Sequence, residues 1–303
     1  MKWDEENEEN ADVIPLDTFL DFTPSISADS FTRNLFGEFY ALVEAGKKSL
    51  RAIELASEVI KLNCANYTAW QYRRWCISEL EFSMNQLMLE LGTVDVWCAK
   101  NPKSYQVWYH RRWVIDAIWN HSQQCATDLL EKELGKIEKL IEVEPKCYNA
   151  WSHRGYLAGL FNLFGSNREL EFTEKLIEND IRNNSAWSYR REAIRLHPCF
   201  DFDREFDFVL SKLHQVLDNE SVWLYLRSLP GWRDHSGCHG FLLRFHSLLQ
   251  THAPVKNLSR DALETIILMA DGDHNSLETQ KVISALLEKD TIRHSRLKLR
   301  YVG

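Results

Sequence analysis

Five short blocks of this sequence repeat the same chemistry-bearing residues: Asn66-Tyr-Thr-Ala-Trp70-Gln-Tyr-Arg-Arg, Ser104-Tyr-Gln-Val-Trp108-Tyr-His-Arg-Arg, Cys147-Tyr-Asn-Ala-Trp151-Ser-His-Arg, Asn184-Ser-Ala-Trp187-Ser-Tyr-Arg-Arg and Glu220-Ser-Val-Trp223-Leu-Tyr-Leu-Arg. Guanidinium groups take carboxylates and phosphates in a planar fork, and phenol hydroxyls donate hydrogen bonds to the same anions. The pairs Arg73-Arg74, Arg111-Arg112 and Arg190-Arg191 are therefore expected to bridge carboxylates of adjacent repeats or of a partner. Trp70, Trp108, Trp151, Trp187 and Trp223 read as structural, because a large aromatic repeated on one helical face holds hairpin against hairpin. Lys103, just ahead of the second block, reads from its position alone as a solvated surface lysine. The helix start behind it offers free N–H groups and a dipole that favours an anion. By spacing alone, Gln106 is an ordinary exposed polar residue.

A different cluster, Asp234-His235-Ser-Gly-Cys238-His239, sets four metal-capable side chains within six residues. Its spacing matches no standard zinc site, which draws ligand pairs from two separated elements, so it reads as a loop leading into a helix. No metal site is expected in this chain. A Gly-rich phosphate loop, a Ser-His-Asp candidate and a His-Glu-x-x-His pattern are all missing from the sequence. The seven cysteines (64, 76, 98, 125, 147, 199 and 238) are odd in number and form no Cys-x-x-Cys pair, as expected for reduced thiols without disulfides.

The elements that must position the blocks follow from their period. The tryptophans lie 38, 43, 36 and 36 residues apart, a spacing that without β signals indicates stacked helical hairpins, each leaning on its neighbours. Tyr105, Trp108, Arg111 and Arg112 fall at helical steps, so each block opens the second helix of a hairpin. Leu129, Leu130, Leu134, Ile137, Leu140 and Ile141 mark one of the first helices. Pro102 and Pro145 sit just before two block helices and Pro198 closes another. The run Gly155-Tyr-Leu-Ala-Gly159 reads as close helix packing. Leu35, Phe39 and Leu42 predict a helix, and Ile53, Leu55 and Ile60 a second one that completes a first hairpin ahead of the blocks. After Trp223 the repeat weakens, with helical spacing over 242–249, 263–269 and 282–287.

The expected fold is all-α, an α-α superhelix: a right-handed solenoid of about six to seven hairpin repeats. Only 12 Gly and 7 Pro disfavour a turn-rich β architecture. Residues 1–30 open with Asp4, Glu5, Glu6, Glu8, Glu9 and Asp12 and read as an acidic, disordered arm, leaving 31–303 as a single helical-repeat domain. The net charge of −8 argues against nucleic acid as a partner. No apolar run is long enough to span a bilayer and no signal peptide is evident, so a soluble, cytoplasmic protein is expected.

Read together, the blocks spell Pro-x-x-Tyr-x-x-Trp-x-x-Arg-Arg, most clearly in Asn101-Pro-Lys-Ser-Tyr-Gln-Val-Trp-Tyr-His-Arg-Arg-Trp, Asp180-Ile-Arg-Asn-Asn-Ser-Ala-Trp and the tail Glu288-Lys-Asp-Thr-Ile-Arg293. The pattern resembles the signature of protein prenyltransferase α subunits over residues 31–293. Tyr105-Gln-Val-Trp and Asn183-Asn-Ser-Ala-Trp are closer to the α subunit shared by farnesyltransferase and type I geranylgeranyltransferase than to the Rab-specific enzyme. The resemblance implies a crescent of hairpins around a β subunit that binds a catalytic Zn²⁺ and forms most of the isoprenoid pocket. Mg²⁺ accompanies the diphosphate in the farnesyl enzyme, and neither metal is expected to bind this chain alone.

The same resemblance assigns roles. Lys103 and Tyr148 would serve catalysis by stabilising charge on the leaving diphosphate. Tyr105 and Asn149 would contact substrate, and Gln106 would donate its amide to the terminal carboxylate of a Cys-a-a-X acceptor. Asn149 departs from the histidine usual beside the second tyrosine and cannot take a positive charge, and Cys147 stands where the family commonly has Asn. Arg111 joins the five tryptophans as a repeat-scaffold residue. Two other readings are carried alongside: the Rab-specific α subunit, and a non-catalytic scaffold of the tetratricopeptide kind.

Overall fold

Asparagine, serine and aspartate stand where the helices begin and take up N–H groups that have no partner inside the helix. Asn66, Asn183, Ser49 and Asp201 accept from Ala69, Ala186, Ala52 and Arg204 at 3.0–3.1 Å. A computed structural model describes residues 30–229, 257–269 and 277–301, and every regular element among them is helical. The acidic arm up to residue 29, the 234–239 cluster and the 242–249 segment lie outside the described residues.

The chain divides into two units, residues 1–156 and 157–303. The first contains α1 (Ser30–Glu44), α2 (Leu50–Leu62), α3 (Tyr67–Glu79), α4 (Met84–Lys100), α5 (Tyr105–His121) and α6 (Gln123–Val143), and α7 (Tyr148–Leu160) through Tyr156. The second contains α8 (Arg168–Asn179), α9 (Asn184–Leu196), α10 (Phe202–Gln215), α11 (Glu220–Ser228), α12 (Arg260–Met269), α13 (Leu277–Lys289) and α14 (His294–Tyr301). The five block helices α3, α5, α7, α9 and α11 each start three residues before their tryptophan, as the spacing predicts. Helix α2 packs on α1, as expected of a first hairpin, and on α3 as well, as the outer helix of the first tryptophan hairpin. Its apolar residues Ala52, Ile53, Leu55, Ala56, Val59 and Ile60 cover enough of its circumference to bury it on both neighbours.

Each block tryptophan makes the same hydrogen bond, its indole N–H reaching back six residues to the carbonyl of the preceding turn: Trp70 to Cys64, Trp108 to Pro102, Trp151 to Pro145, Trp187 to Ile181 and Trp223 to Leu217, all at 2.7–2.9 Å. Three of the rings also pack against the ring two positions past the next tryptophan. Trp70 meets His110 at 5.0 Å, Trp108 meets His153 at 5.2 Å and Trp187 meets Tyr225 at 4.9 Å. A single residue type thus pins the turn within a repeat and the ring stack between repeats.

Below the stacks lies a buried charge network. In three blocks the arginine three residues past the tryptophan forks onto a glutamate of the next outer helix: Arg73 on Glu90 at 2.8 and 2.6 Å, Arg111 on Glu133 at 2.8 and 2.6 Å, and Arg190 on Glu205 at 2.7 and 2.6 Å. The following inner helix adds a ring to the same carboxylate, His110 Nε2 to Glu90 at 2.6 Å and the Tyr225 hydroxyl to Glu205. His153 stops 3.7 Å from Glu133, beyond hydrogen-bond reach. Burial alone would raise the Glu90 carboxyl, but His110 and Arg73 overcome it and hold it at about 2. Burial drives the His153 imidazole down to about 4.

Two measurements follow from these pairs. Glu205→Ala leaves Arg190 buried without its counter-ion and is expected to lower the unfolding free energy by about 3–5 kcal/mol in urea titrations. Between its ordinary value of 6.5 and about 4, His153 takes a proton in the unfolded chain but not in the folded one, so stability falls as pH falls through that window, by up to about 3 kcal/mol. Glu90, normally near 4.5 and held at about 2, extends the loss below pH 4.5. Unfolding curves from pH 7 to 4 should show the first decline, and His153→Gln should flatten it.

Candidate functional site

All five residues assigned to chemistry lie at the starts of α5 and α7 in the first unit. The turn bearing Lys103 is fixed from two sides at one atom. The Pro102 carbonyl accepts the Trp108 indole N–H at 2.8 Å and the Asn149 amide at 3.1 Å, with the Cys147 thiol 3.9 Å away. In the second unit the helix-capping Asn219 makes the corresponding inter-repeat bond, its Nδ2 donating to the Ile181 carbonyl at 2.7 Å while its Oδ1 accepts from Ser221. Cysteine at 147 reaches that carbonyl only as a weak thiol donor at 3.9 Å, and Asn149, two residues on, supplies the strong one. The two departures noted in the sequence therefore compensate each other, and one amide hydrogen of Asn149 is committed to Pro102.

On this fixed turn the Lys103 side chain is 81% exposed and sits 3.2 Å from Glu144, itself partly exposed. A pair so open to water holds the ammonium weakly, leaving it available to another anion. Tyr105 and Tyr148, the first residues of α5 and α7, are 68% and 80% exposed. Gln106 differs from its expected exposure: it is 7% exposed, and its Nε2 donates to the Tyr105 hydroxyl at 3.0 Å. The cause is that α5 packs on α3, α4 and α6, which leave it little open surface.

The strip of α5 that stays open carries Tyr105, Tyr109, Arg112 and Asp116, at helical steps of four, three and four. Tyr148, Ser152 and Tyr156 run beside it on α7, and Tyr67, Gln71 and Arg74 on α3. Arg112 donates to the Ser152 hydroxyl at 2.8 Å and lies 5.4 Å from the centre of the Tyr156 ring. The Tyr156 hydroxyl in turn donates to Asp116 at 2.7 Å. Arg74 lies over the Tyr109 ring at 4.8 Å. Burial lowers the Arg112 guanidinium below its ordinary range, with Tyr156, Tyr148 and Asp116 acting in the opposite direction. Sequence reasoning missed Tyr109, Arg112 and Ser152 as parts of this surface. Their signal was the arginine doublet itself: successive residues stand about 100° apart on a helix, so when Arg111 turns inward to Glu133, Arg112 turns onto the strip.

Among the described residues no group of three or more His, Cys, Asp or Glu could hold a metal ion. The six described cysteines are free thiols, and no described helix is long and apolar enough to cross a membrane.

Comparison with known proteins agrees with this geometry. The family described as "Protein prenyltransferase alpha subunit repeat" matches residues 49–80, 87–118, 130–161 and 166–197. Each match spans an outer helix and its tryptophan helix, with Trp70, Trp108, Trp151 and Trp187 at the same place in each. The protein farnesyltransferase/geranylgeranyltransferase type-1 subunit alpha of Solanum lycopersicum is 38% identical over 65 residues, which cover 22% of this chain and 18% of that one. The match thus spans less than a fifth of that relative. A solved structure described as Candida albicans protein geranylgeranyltransferase-I complexed with GGPP superposes with a TM-score of 0.76 over 99% of both chains, at 24% identity. That likeness shows the α-α superhelix fold expected from the repeat.

The double support of the Pro102 carbonyl yields a direct test. Trp108→Phe removes the indole donor and is expected to cost about 1–3 kcal/mol. Amide hydrogen exchange over 103–106 should speed up, while exchange around Trp187 stays as in the wild type.

Proposed function

We propose that this chain, which carries four matches to the protein prenyltransferase alpha subunit repeat, is the α subunit of a heterodimeric enzyme of the farnesyltransferase/geranylgeranyltransferase type I kind. In this reading it acts in the cytoplasm with a β subunit, moving an isoprenoid from its diphosphate to the cysteine of a C-terminal Cys-a-a-X motif. The observation that carries it is Lys103-x-Tyr105-Gln106 on a rigidly held turn, in the second of four repeats that match the family.

In the transfer, a carbon–sulfur bond forms as the allylic carbon–oxygen bond breaks, and the electron pair leaves with the diphosphate. Lys103 would meet that growing charge through an ammonium that only Glu144 now engages. Tyr148, exposed at the head of α7, would add an O–H donor. Tyr105 would line the same opening and orient the Gln106 amide, which in this reading swings from the Tyr105 hydroxyl to the acceptor's terminal carboxylate. Asn149 would contribute through the turn it braces with one amide hydrogen, and through its carbonyl oxygen and its second amide hydrogen. Zinc would activate the acceptor thiolate, and magnesium would aid the diphosphate. In this reading both ions are held outside this chain.

The test is co-expression with a farnesyltransferase β subunit, followed by size-exclusion chromatography and farnesyl transfer to a Cys-a-a-X peptide. The expected result is a stable 1:1 complex that transfers prenyl. Lys103→Ala should keep the complex and lose on the order of 10²-fold in rate. A stable monomer without transfer overturns the reading, and a Lys103→Ala complex at wild-type rate removes Lys103 from the chemistry.

A further inference from the structure

The arginines of the tryptophan blocks in the first unit fall into two sets. Those three residues past a tryptophan are closed by carboxylates: Arg73 by Glu90, Arg111 by Glu133 and Arg154 by Glu138. Those four residues past, Arg74 and Arg112, form no ion pair among the described residues, although both are withdrawn from water and burial lowers both below the ordinary guanidinium range. Each is held instead by a ring and a neutral oxygen, Arg74 by Tyr109 and the Gln71 carbonyl, Arg112 by Tyr156 and the Ser152 hydroxyl. Each also keeps one buried N–H without a partner, Nη1 of Arg74 and Nε of Arg112. Tyr109 lies over Arg74, which is almost fully buried, whereas Arg112 is partly open on the strip.

The surface around Arg112 has a charge of its own. Although the whole sequence carries −8, helices α3, α5 and α7 together hold two carboxylates, Glu79 and Asp116. Glu79 lies 3.4 Å from Lys48, and Asp116 accepts from Tyr156. What is exposed beside Arg112 is Asp116, one turn on and already engaged by the Tyr156 hydroxyl, and otherwise aromatic and neutral: Tyr105, Tyr109 and Tyr148. A positioned guanidinium ringed by exposed tyrosines has the composition of an interface anchor, and it lacks only the carboxylate that would complete it.

We propose that Arg112 is the docking cation of this face and receives an aspartate or glutamate side chain from the partner subunit, sealed from water by Tyr105, Tyr109 and Tyr148. This rests on the α-subunit reading and adds to it a specified contact. Ser152 and Tyr156 hold the guanidinium in place before the partner arrives, so its ordering is not a cost of association. Closing a charged pair at the centre of an interface raises the association rate and makes affinity fall with salt.

The experiment measures association of the full-length chain with a farnesyltransferase β subunit at low and at high salt, for the wild type, Arg112→Gln, Arg112→Lys and Ser152→Ala. Arg112→Gln is expected to bind about tenfold more weakly with a shallower salt dependence, and Arg112→Lys to recover part of the loss because it keeps the charge. Ser152→Ala, which removes the brace and leaves the cation, should stay within about twofold. Wild-type binding matched by Arg112→Gln overturns the docking role and leaves the α-subunit reading standing, as does unchanged association with a raised KM for the isoprenoid diphosphate. A wild-type chain that binds no β subunit overturns both. Should Arg112→Gln fail to fold, the wild-type salt series decides alone, since an affinity indifferent to salt sinks the proposal.

Discussion

A carboxylate buried between three helices constrains everything around it. Taken from water, Glu90 or Glu205 is tolerable only if cations and O–H or N–H donors meet it at close to ideal geometry. The forked arginine from the helix before and the ring from the helix after provide this. Because the fork is planar and short, it fixes the distance and the rotation of one inner helix relative to the next outer helix. The ring contact then adds the next inner helix. Apolar packing alone would tolerate sliding of smooth faces, whereas a bidentate pair has one satisfactory register. The tryptophan stacks lie just above these pairs and share their residues, so packing and charge specify the same arrangement.

From that frame the candidate site inherits both its stiffness and its freedom. Backbone at the 101–104 turn is held by Trp108 within its repeat and by Asn149 from the next, while the Lys103 ammonium stays in water on a flexible stem. An anion that arrives between the starts of α5 and α7 would meet a cation able to follow it, on a turn that does not move away. The neighbouring strip is arranged differently. Arg112 is braced at its guanidinium by Ser152 and Tyr156, which suits a fixed contact more than a travelling one.

Much of this was legible in the sequence, and for a physical reason. Tryptophan, its ring two residues on and its arginine three residues on are all fixed by the turn of one helix, so they recur at constant spacing and show the repeat. The glutamates recur as well, but in step with the block that follows them: Glu90, Glu133 and Glu205 each stand 18 residues before the next tryptophan, Trp108, Trp151 and Trp223. Their distance from the arginines they bind varies, 17, 22 and 15 residues, because the outer helices that carry them are 17, 21 and 14 residues long. Which arginine meets which glutamate is therefore not marked by a constant spacing. Gln106 was misjudged for a related reason: exposure at a helix start is decided by what packs around it, and α5 is covered by three neighbours. The first arginine of each doublet pairs with a repeat carboxylate as expected, whereas Arg74 and Arg112 do not, a difference of one helical step that the sequence alone does not weight.

Cys147 and Asn149 show how the site can change chemistry without changing shape. In the second unit, Asn219 caps its own helix and ties the previous turn with one side chain. Here the tie has moved two residues along to Asn149, and the cap position holds a buried thiol. The turn under Lys103 keeps its brace, but the position beside Tyr148 can no longer become cationic near neutral pH. In the proposed α-subunit reading, positive charge for an anion at this opening falls to Lys103, with Tyr148 supplying a neutral donor. A site built this way would depend on one exposed lysine more heavily than a site with a titratable imidazole beside it, and its tolerance for substitution at Lys103 would be correspondingly small.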